Sequence, residues 1–140
     1  MIVFDASLAL KWYFDEAGRE AAKAELARHG GAIVVPQVFL VEVTAALVRR
    51  ANMDKALRPE MERSLAGFLT LIAEHFITVD ATDTEAIASA AQLALNLGHP
   101  LKDCVYLALA MKMGCELLTS DLRLAEKAQA TWPKIRVLEG

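Results

Sequence analysis

At 140 residues, with 55% hydrophobic and 24% charged positions, the chain has the length of one domain with a real core and the composition of a helix-rich globular protein, not a disordered one. No uninterrupted apolar stretch reaches membrane-span length, and the N-terminus has a strand and an acid where a signal peptide needs basic residues and a cleavage site, so the expected location is the cytoplasm, with no membrane partner. The net charge of −3 gives no global attraction for nucleic acid; a polyanion would have to be held by a local basic patch or by bound metal.

The chain opens with Met1-Ile2-Val3-Phe4-Asp5, an apolar run that stops at a carboxylate and passes directly into Asp5-Ala6-Ser7. This is the pattern of a short buried strand that hands over to a helix. An acid at the carboxyl end of a strand in an open α/β sheet lies where ligands bind, and it can equally cap the helix that begins near Leu8. Helical spacing continues through Trp12-Tyr13-Phe14 and breaks around Asp15-Glu16 and Gly18. A second helix, from Arg19 to about Arg28, ends at Gly30-Gly31, which suits a left-handed stop. Ala32-Ile33-Val34-Val35-Pro36 follows as a second buried strand closed by proline.

The next helix, over 37–51, is apolar on nearly every side, yet it carries Glu42. An ionised carboxylate in such surroundings must be paired, protonated or bound to a cation, because desolvating it alone costs several kcal/mol. Arg49 and Arg50 lie about two turns away and reach it poorly. Asn52-Met53-Asp54-Lys55 reads as a polar connection, and Pro59 sits near the start of a helix that runs to about His75. Phe76-Ile77-Thr78-Val79-Asp80 is the third strand. Thr82 and Glu85 stand in capping-box relation before an Ala-rich helix that ends at Leu97-Gly98. His99-Pro100-Leu101-Lys102-Asp103 starts the following helix, closed by Gly114. Cys115-Glu116-Leu117-Leu118-Thr119 is the fourth strand, stopping at Ser120-Asp121 as the first stopped at Asp5. A helix from Leu122 to about Ala130 and an edge strand, Ile135-Arg136-Val137-Leu138, complete the chain. Strands alternate with helices throughout, so the expected architecture is a single α/β domain over residues 1–140, a mostly parallel sheet with helices on both faces.

Four acids stand out: Asp5 and Asp121 end strands, Asp103 opens a helix, and Glu42 lies in an apolar helix just after a strand. Strand ends and following helix starts share one edge of a parallel sheet, so all four can converge on one crevice. Close carboxylates cannot all stay ionised there without cations, and hard oxygen ligands select Mg²⁺ or Mn²⁺. A carboxylate-held divalent pair is suited to phosphodiester cleavage by activated water. Asp103 and Asp121 also make ordinary helix starts, which is the competing structural role. His29, His75 and His99 show no ligand spacing and read as surface or loop residues, while Cys104 and Cys115 read as reduced core residues.

Asp5-Ala-Ser-Leu-Ala-Leu-Lys-Trp, Val-Pro-Gln-Val-Phe-Leu-Val-Glu42-Val, His-Pro-Leu-Lys-Asp103-Cys-Val-Tyr-Leu-Ala-Leu-Ala and Leu-Leu-Thr119-Ser-Asp121 together resemble, in order and spacing, the acidic motifs of PIN-domain nucleases, above all the VapC-type toxins of bacterial toxin–antitoxin pairs. The resemblance covers essentially the whole chain. It implies a three-layer α/β/α fold with strand order 3-2-1-4-5, and a Mg²⁺- or Mn²⁺-dependent endoribonuclease held inactive by a cognate antitoxin. Asp5, Glu42, Asp103 and Asp121 match the family's metal-binding acids, and Ser7 and Thr119 its usual hydroxyl positions. Position 102, often Tyr in this subfamily, is Lys here, a departure that leaves the acids intact and bears on how phosphate is met.

The alternative is a non-catalytic metal-binding domain, PIN-like or receiver-like. A phosphoaccepting receiver wants paired acids near the first strand end and a Lys after the last central strand. Asp5 has no acidic neighbour before it, and Thr119 is followed by Ser120-Asp121. Partners are expected at the N-terminal half, where the helix over 37–51, the stripe Leu65-Phe68-Leu69-Ile72 and the aromatics at 12–14, which read as core or interface and not as a base-stacking platform, offer more apolar surface than one core covers. The resemblance implies an RNA substrate, a homodimer and an antitoxin segment.

Overall fold

The computed structural model describes residues 1–139. Five short strands, β1 (Ile2–Phe4), β2 (Ile33–Pro36), β3 (Ile77–Asp80), β4 (Glu116–Thr119) and β5 (Ile135–Val137), alternate with seven helices. These are α1 (Ala6–Tyr13), α2 (Arg19–His29), α3 (Gln37–Met53), α4 (Arg58–Ala73), α5 (Thr84–Leu97), α6 (Leu101–Met113) and α7 (Leu122–Ala128). The sheet is parallel throughout and ordered β3-β2-β1-β4-β5, the order expected from the resemblance.

The opening strand is central because it is apolar on both faces: Ile2, Val3 and Phe4 are all buried, Val3 pairing with Val34 on one side and Leu117 on the other. A strand covered by helices on both sides reads as a continuous apolar run, not an alternation. Helix α6 packs against β1 and β2, α4 against β3, and α1 against α2, α3 and β4. The edge strands β3 and β5 are only partly covered.

Element ends differ from the sequence expectation where a cap decides them. Helix α1 starts at Ala6, two residues before Leu8, because the Asp5 carboxylate accepts the Ser7 backbone N–H at 3.2 Å and brings Ser7 into the first turn. Helix α3 continues through Asn52 to Met53, and the supposed polar connection is a 3-10 turn, Lys55–Leu57, capped by Asp54 on the Ala56 N–H at 3.1 Å. The Thr82–Glu85 capping box does not form. Asp83, one residue later, caps α5 on the Ala86 N–H at 2.8 Å. Helix α4 stops at Ala73, and the chain leaves it through His75 with φ of 59°. Helix α7 ends at Ala128, whose carbonyl accepts both the Thr131 and Trp132 N–H groups.

The aromatic run at 12–14 is core, not surface. Trp12 is buried with its indole N–H on the Ala22 carbonyl at 3.0 Å, Tyr13 meets Phe68 edge-on, and Phe14 lies under the Arg50 guanidinium at 4.6 Å. Helix α3 buries Phe39, Val43 and Leu47 and leaves Val41 and Val48 exposed, and α4 leaves Leu69 exposed, so part of the expected apolar surface remains. No helix among the described residues is long and apolar enough to cross a membrane.

Candidate active site

All four acids come to one edge of the sheet. Asp5 leaves β1 and Asp121 follows β4, the strand beside it; Asp103 lies in the first turn of α6, and Glu42 lies in α3, which follows directly from β2. Strand order therefore places the two strand-end acids side by side.

Asp5 is the deepest, only 4% exposed. Its Oδ2 accepts the Thr119 hydroxyl at 2.6 Å. That hydroxyl accepts the Asp121 backbone N–H at 3.0 Å in turn, so one oxygen ties Asp5 to the start of the Asp121 turn. Ser7 completes the bridge by accepting the Ser120 N–H on its Oγ at 3.1 Å. Both hydroxyls singled out in the sequence thus stitch β1 and β4 together at the crevice. Burial pushes the Asp5 carboxyl above the usual range; the Thr119 and Ser7 hydrogen bonds pull it down, and the nearby Asp103 charge pushes it further up.

Glu42 is mostly buried, with its side chain 18% exposed. Its Oε1 accepts the Tyr106 hydroxyl at 3.1 Å, and the Lys102 ammonium stands 3.8 Å from Oε2. Burial raises its carboxyl, Lys102 and Tyr106 oppose this, and the charges of Asp5 and Asp103 reinforce it. Arg49 and Arg50 make no ion pair with Glu42, as their spacing implied; the cation comes from α6 instead. Tyr106 is fully buried, and burial followed by the charges of Glu42 and Asp5 pushes its phenol well above its ordinary value, so the hydroxyl remains a donor. Sequence reading missed Tyr106, which sits among Leu and Ala in an apolar helix; its only signal was a place one turn after Asp103.

Asp121 caps α7, accepting the Arg123 and Leu124 N–H groups at 2.9 and 3.3 Å, so the structural role open to it in the sequence is filled. Asp103 does not cap α6: its Oδ2 lies 2.8 Å from His99 Nε2. His99, expected at the surface or in a loop, is in the loop, but its side chain is only 5% exposed and belongs to the site. Ligand atoms of His99, Asp103 and Asp121 all fall within 4.8 Å of one another. The spacing His99-x-x-x-Asp103, one helical turn, was the available signal. His75 stays exposed, and His29 is a partner of Glu25 at 3.2 Å, away from the acids.

A parallel sheet with an acidic crevice at its carboxyl edge defines a class, and the match is specific: the PIN domain model covers residues 2–130, and the chain belongs to that family. It is similar to ribonuclease VapC9 of Mycobacterium tuberculosis, 29% identical over 134 residues and 95% of each chain. Its fold superposes on the sarcin-ricin loop cleaving toxin VapC20 of the same organism with a TM-score of 0.67 at 16% identity, over 81% of this chain and 84% of that one. A toxin–antitoxin complex from Klebsiella pneumoniae contains a chain of the same fold, with a TM-score of 0.68 at 16% identity over 99% and 98% of the two chains.

Proposed function

We propose that this chain is a Mg²⁺- or Mn²⁺-dependent endoribonuclease, the toxin of a toxin–antitoxin pair, with Asp5, Glu42, Asp103 and Asp121 as its metal-binding and catalytic acids. The observation that carries the reading is Asp5: a carboxylate 4% exposed, with the charges of Asp103 and Glu42 near it, meeting hydroxyl and amide donors but no basic group among the described residues. A buried acid with that environment is an incomplete electrostatic arrangement, which a divalent cation completes. The donor set of carboxylates with two hydroxyls nearby fits hard cations of the Mg²⁺ and Mn²⁺ kind. When bound, such an ion supplies Lewis-acid activation of water and neutralises charge at the scissile phosphate.

The chain's own residues do the positioning. Thr119 and Ser7 hold the β1 and β4 ends at a fixed separation, so Asp5 and Asp121 are preorganised. Tyr106 fixes the Glu42 carboxylate. Lys102, 59% exposed along its side chain, stands at the rim beside Glu42 and offers a cation to an incoming phosphate. It gives the local attraction that a chain of net charge −3 lacks globally.

The partners in this reading are RNA, a cognate antitoxin and a second copy of the chain. The similarity to VapC ribonucleases supports RNA, the shared fold with a toxin–antitoxin complex supports the antitoxin, and exposed Val41, Val48 and Leu69 on α3 and α4 suit a homodimer.

The test is cleavage of total RNA by the purified protein with Mg²⁺ or Mn²⁺ and with chelator. Asp5→Asn, Asp103→Asn and Glu42→Gln should each fold and lose at least about 10²-fold in rate, the scale of an electrostatic catalytic group. Wild-type rates in Asp5→Asn and Asp103→Asn together would remove the four-acid site, and full activity in Glu42→Gln alone would return that residue to a structural role.

A further inference from the structure

Each of three acids in the crevice has an evident holder: Thr119 and Ser7 for Asp5, Tyr106 and Lys102 for Glu42, the α7 amides for Asp121. Among the described residues, the Asp103 carboxylate has one hydrogen-bond partner, His99 Nε2 at 2.8 Å. We propose that His99 is the positioning residue of Asp103: its Nε2–H commits Oδ2 and leaves Oδ1 to face a cation. The inference rests on the metal-dependent reading above.

The ring is built into place. Gly98 takes φ of 61°, a left-handed conformation that closes α5 and turns the chain back. The His99 N–H then donates to the Ala94 carbonyl at 3.1 Å, and Lys127 of α7 donates to the Gly98 carbonyl at 2.8 Å. The turn that carries the ring is thereby tied to the helix that Asp121 caps, which keeps His99, Asp103 and Asp121 together. Pro100 follows as the cap residue, and no side chain caps α6, Asp103 turning to His99 instead.

The tautomer decides between holding the acid and ligating the metal. Nδ1 is buried with no hydrogen-bond partner among the described residues. A ring that ligates through Nε2 carries its proton on Nδ1, and ligating histidines ordinarily donate that N–H to a carboxylate or carbonyl. Here that proton would be an orphaned buried donor. With the proton on Nε2 the orphan is only a lone pair, and the donor meets a carboxylate. The ring therefore acts through Nε2 as donor to Asp103.

Calorimetric Mn²⁺ titration of the purified full chain tests this in wild type, His99→Leu and His99→Gln, with metal-free melting alongside. Outer partners of metal ligands are worth about 10–100-fold in affinity, so His99→Leu should bind Mn²⁺ more weakly by that factor, and His99→Gln, which keeps a neutral N–H donor, should restore most of it. A ring that only fills space predicts the reverse order, Leu above Gln, and that order overturns the inference. Pulsed EPR of the Mn²⁺-loaded wild type needs no variant to fold: it should lack the coupling of a directly bound imidazole nitrogen, and finding that coupling overturns positioning in favour of ligation. Wild-type protein that binds no Mn²⁺ sinks the metal reading and this inference together. Normal wild-type binding with an unchanged His99→Leu sinks this inference alone.

Discussion

Thr119 shows how much one buried hydroxyl can organise, since it donates to Asp5 and accepts from the Asp121 amide, joining the acids of two neighbouring strands. The arrangement holds an acid where burial disfavours its charge. Burial raises the Asp5 carboxyl, so the folded state binds its proton more tightly than the unfolded chain. Above that raised value the ionised carboxylate weakens the metal-free fold, and acidification toward the ordinary Asp range relieves the penalty. Asp5→Asn removes the charge and keeps one oxygen for the Ser7 N–H, but it sets an amide NH2 in place of the Oδ2 that accepts the Thr119 hydroxyl. The melting temperature of metal-free Asp5→Asn relative to wild type should therefore move in the variant's favour as pH rises from the ordinary Asp range to neutral; a difference independent of pH would contradict the desolvation argument. At this scale the four acids stood out by their places, Asp5 and Asp121 ending strands, Asp103 opening a helix and Glu42 inside an apolar one, while Ser7 and Thr119 entered through the family resemblance. His99 and Tyr106 were not, because their burial comes from the Gly98 turn and from α6 packing on β1 and β2, neither of which leaves a mark on the residues themselves.

A second buried acid belongs to an element, not to the site. Strand β5 is only three residues long and sits at the sheet edge, and besides its backbone ladder and the packing of Ile135 on the core it is held by Arg136, forked onto Glu25 of α2 at 2.8 and 3.2 Å and onto Glu116 of β4 at 3.1 Å. Glu25 is 6% exposed, with Arg28 and His29 on its other side. The Arg136 hydrogen bond lowers its carboxyl below the ordinary value against the opposing effect of burial. A depressed carboxyl contributes stability that is present above the unfolded pKa and lost as pH falls through the folded one. Arg136→Met should cost about 1–3 kcal/mol at neutral pH, the range for stripping a buried polar group of its partner. The gap between wild type and variant should close on acidification below the ordinary Glu value; a gap independent of pH would mean the loss is packing alone. The strands themselves were readable as apolar runs. This clamp was not, because Glu25 and Arg136 are 111 residues apart and each looks like a solvated charge.

At the scale of the whole molecule, strand order was carried by the family resemblance, since alternation of strands and helices predicts a parallel sheet without saying which strand is central. Apolar patterning did foresee surplus surface, but it overcounted by placing the 12–14 aromatics there; Trp12 and Phe14 pack inside the layer that α1, α2 and α3 make. What remains is on α3 and α4: Val41 is 68% exposed, Val48 46% and Leu69 48%. A charge placed at Val41 meets water in the monomer and would be stranded in an apolar seam in a dimer, so the two states respond oppositely to it. Val41→Arg should keep metal-free stability within about 0.5 kcal/mol, as exposed substitutions do, yet shift the chain from dimer to monomer in light scattering at micromolar concentration. A wild-type chain that is already monomeric there removes the homodimer, and a Val41→Arg protein that remains dimeric moves the seam away from α3.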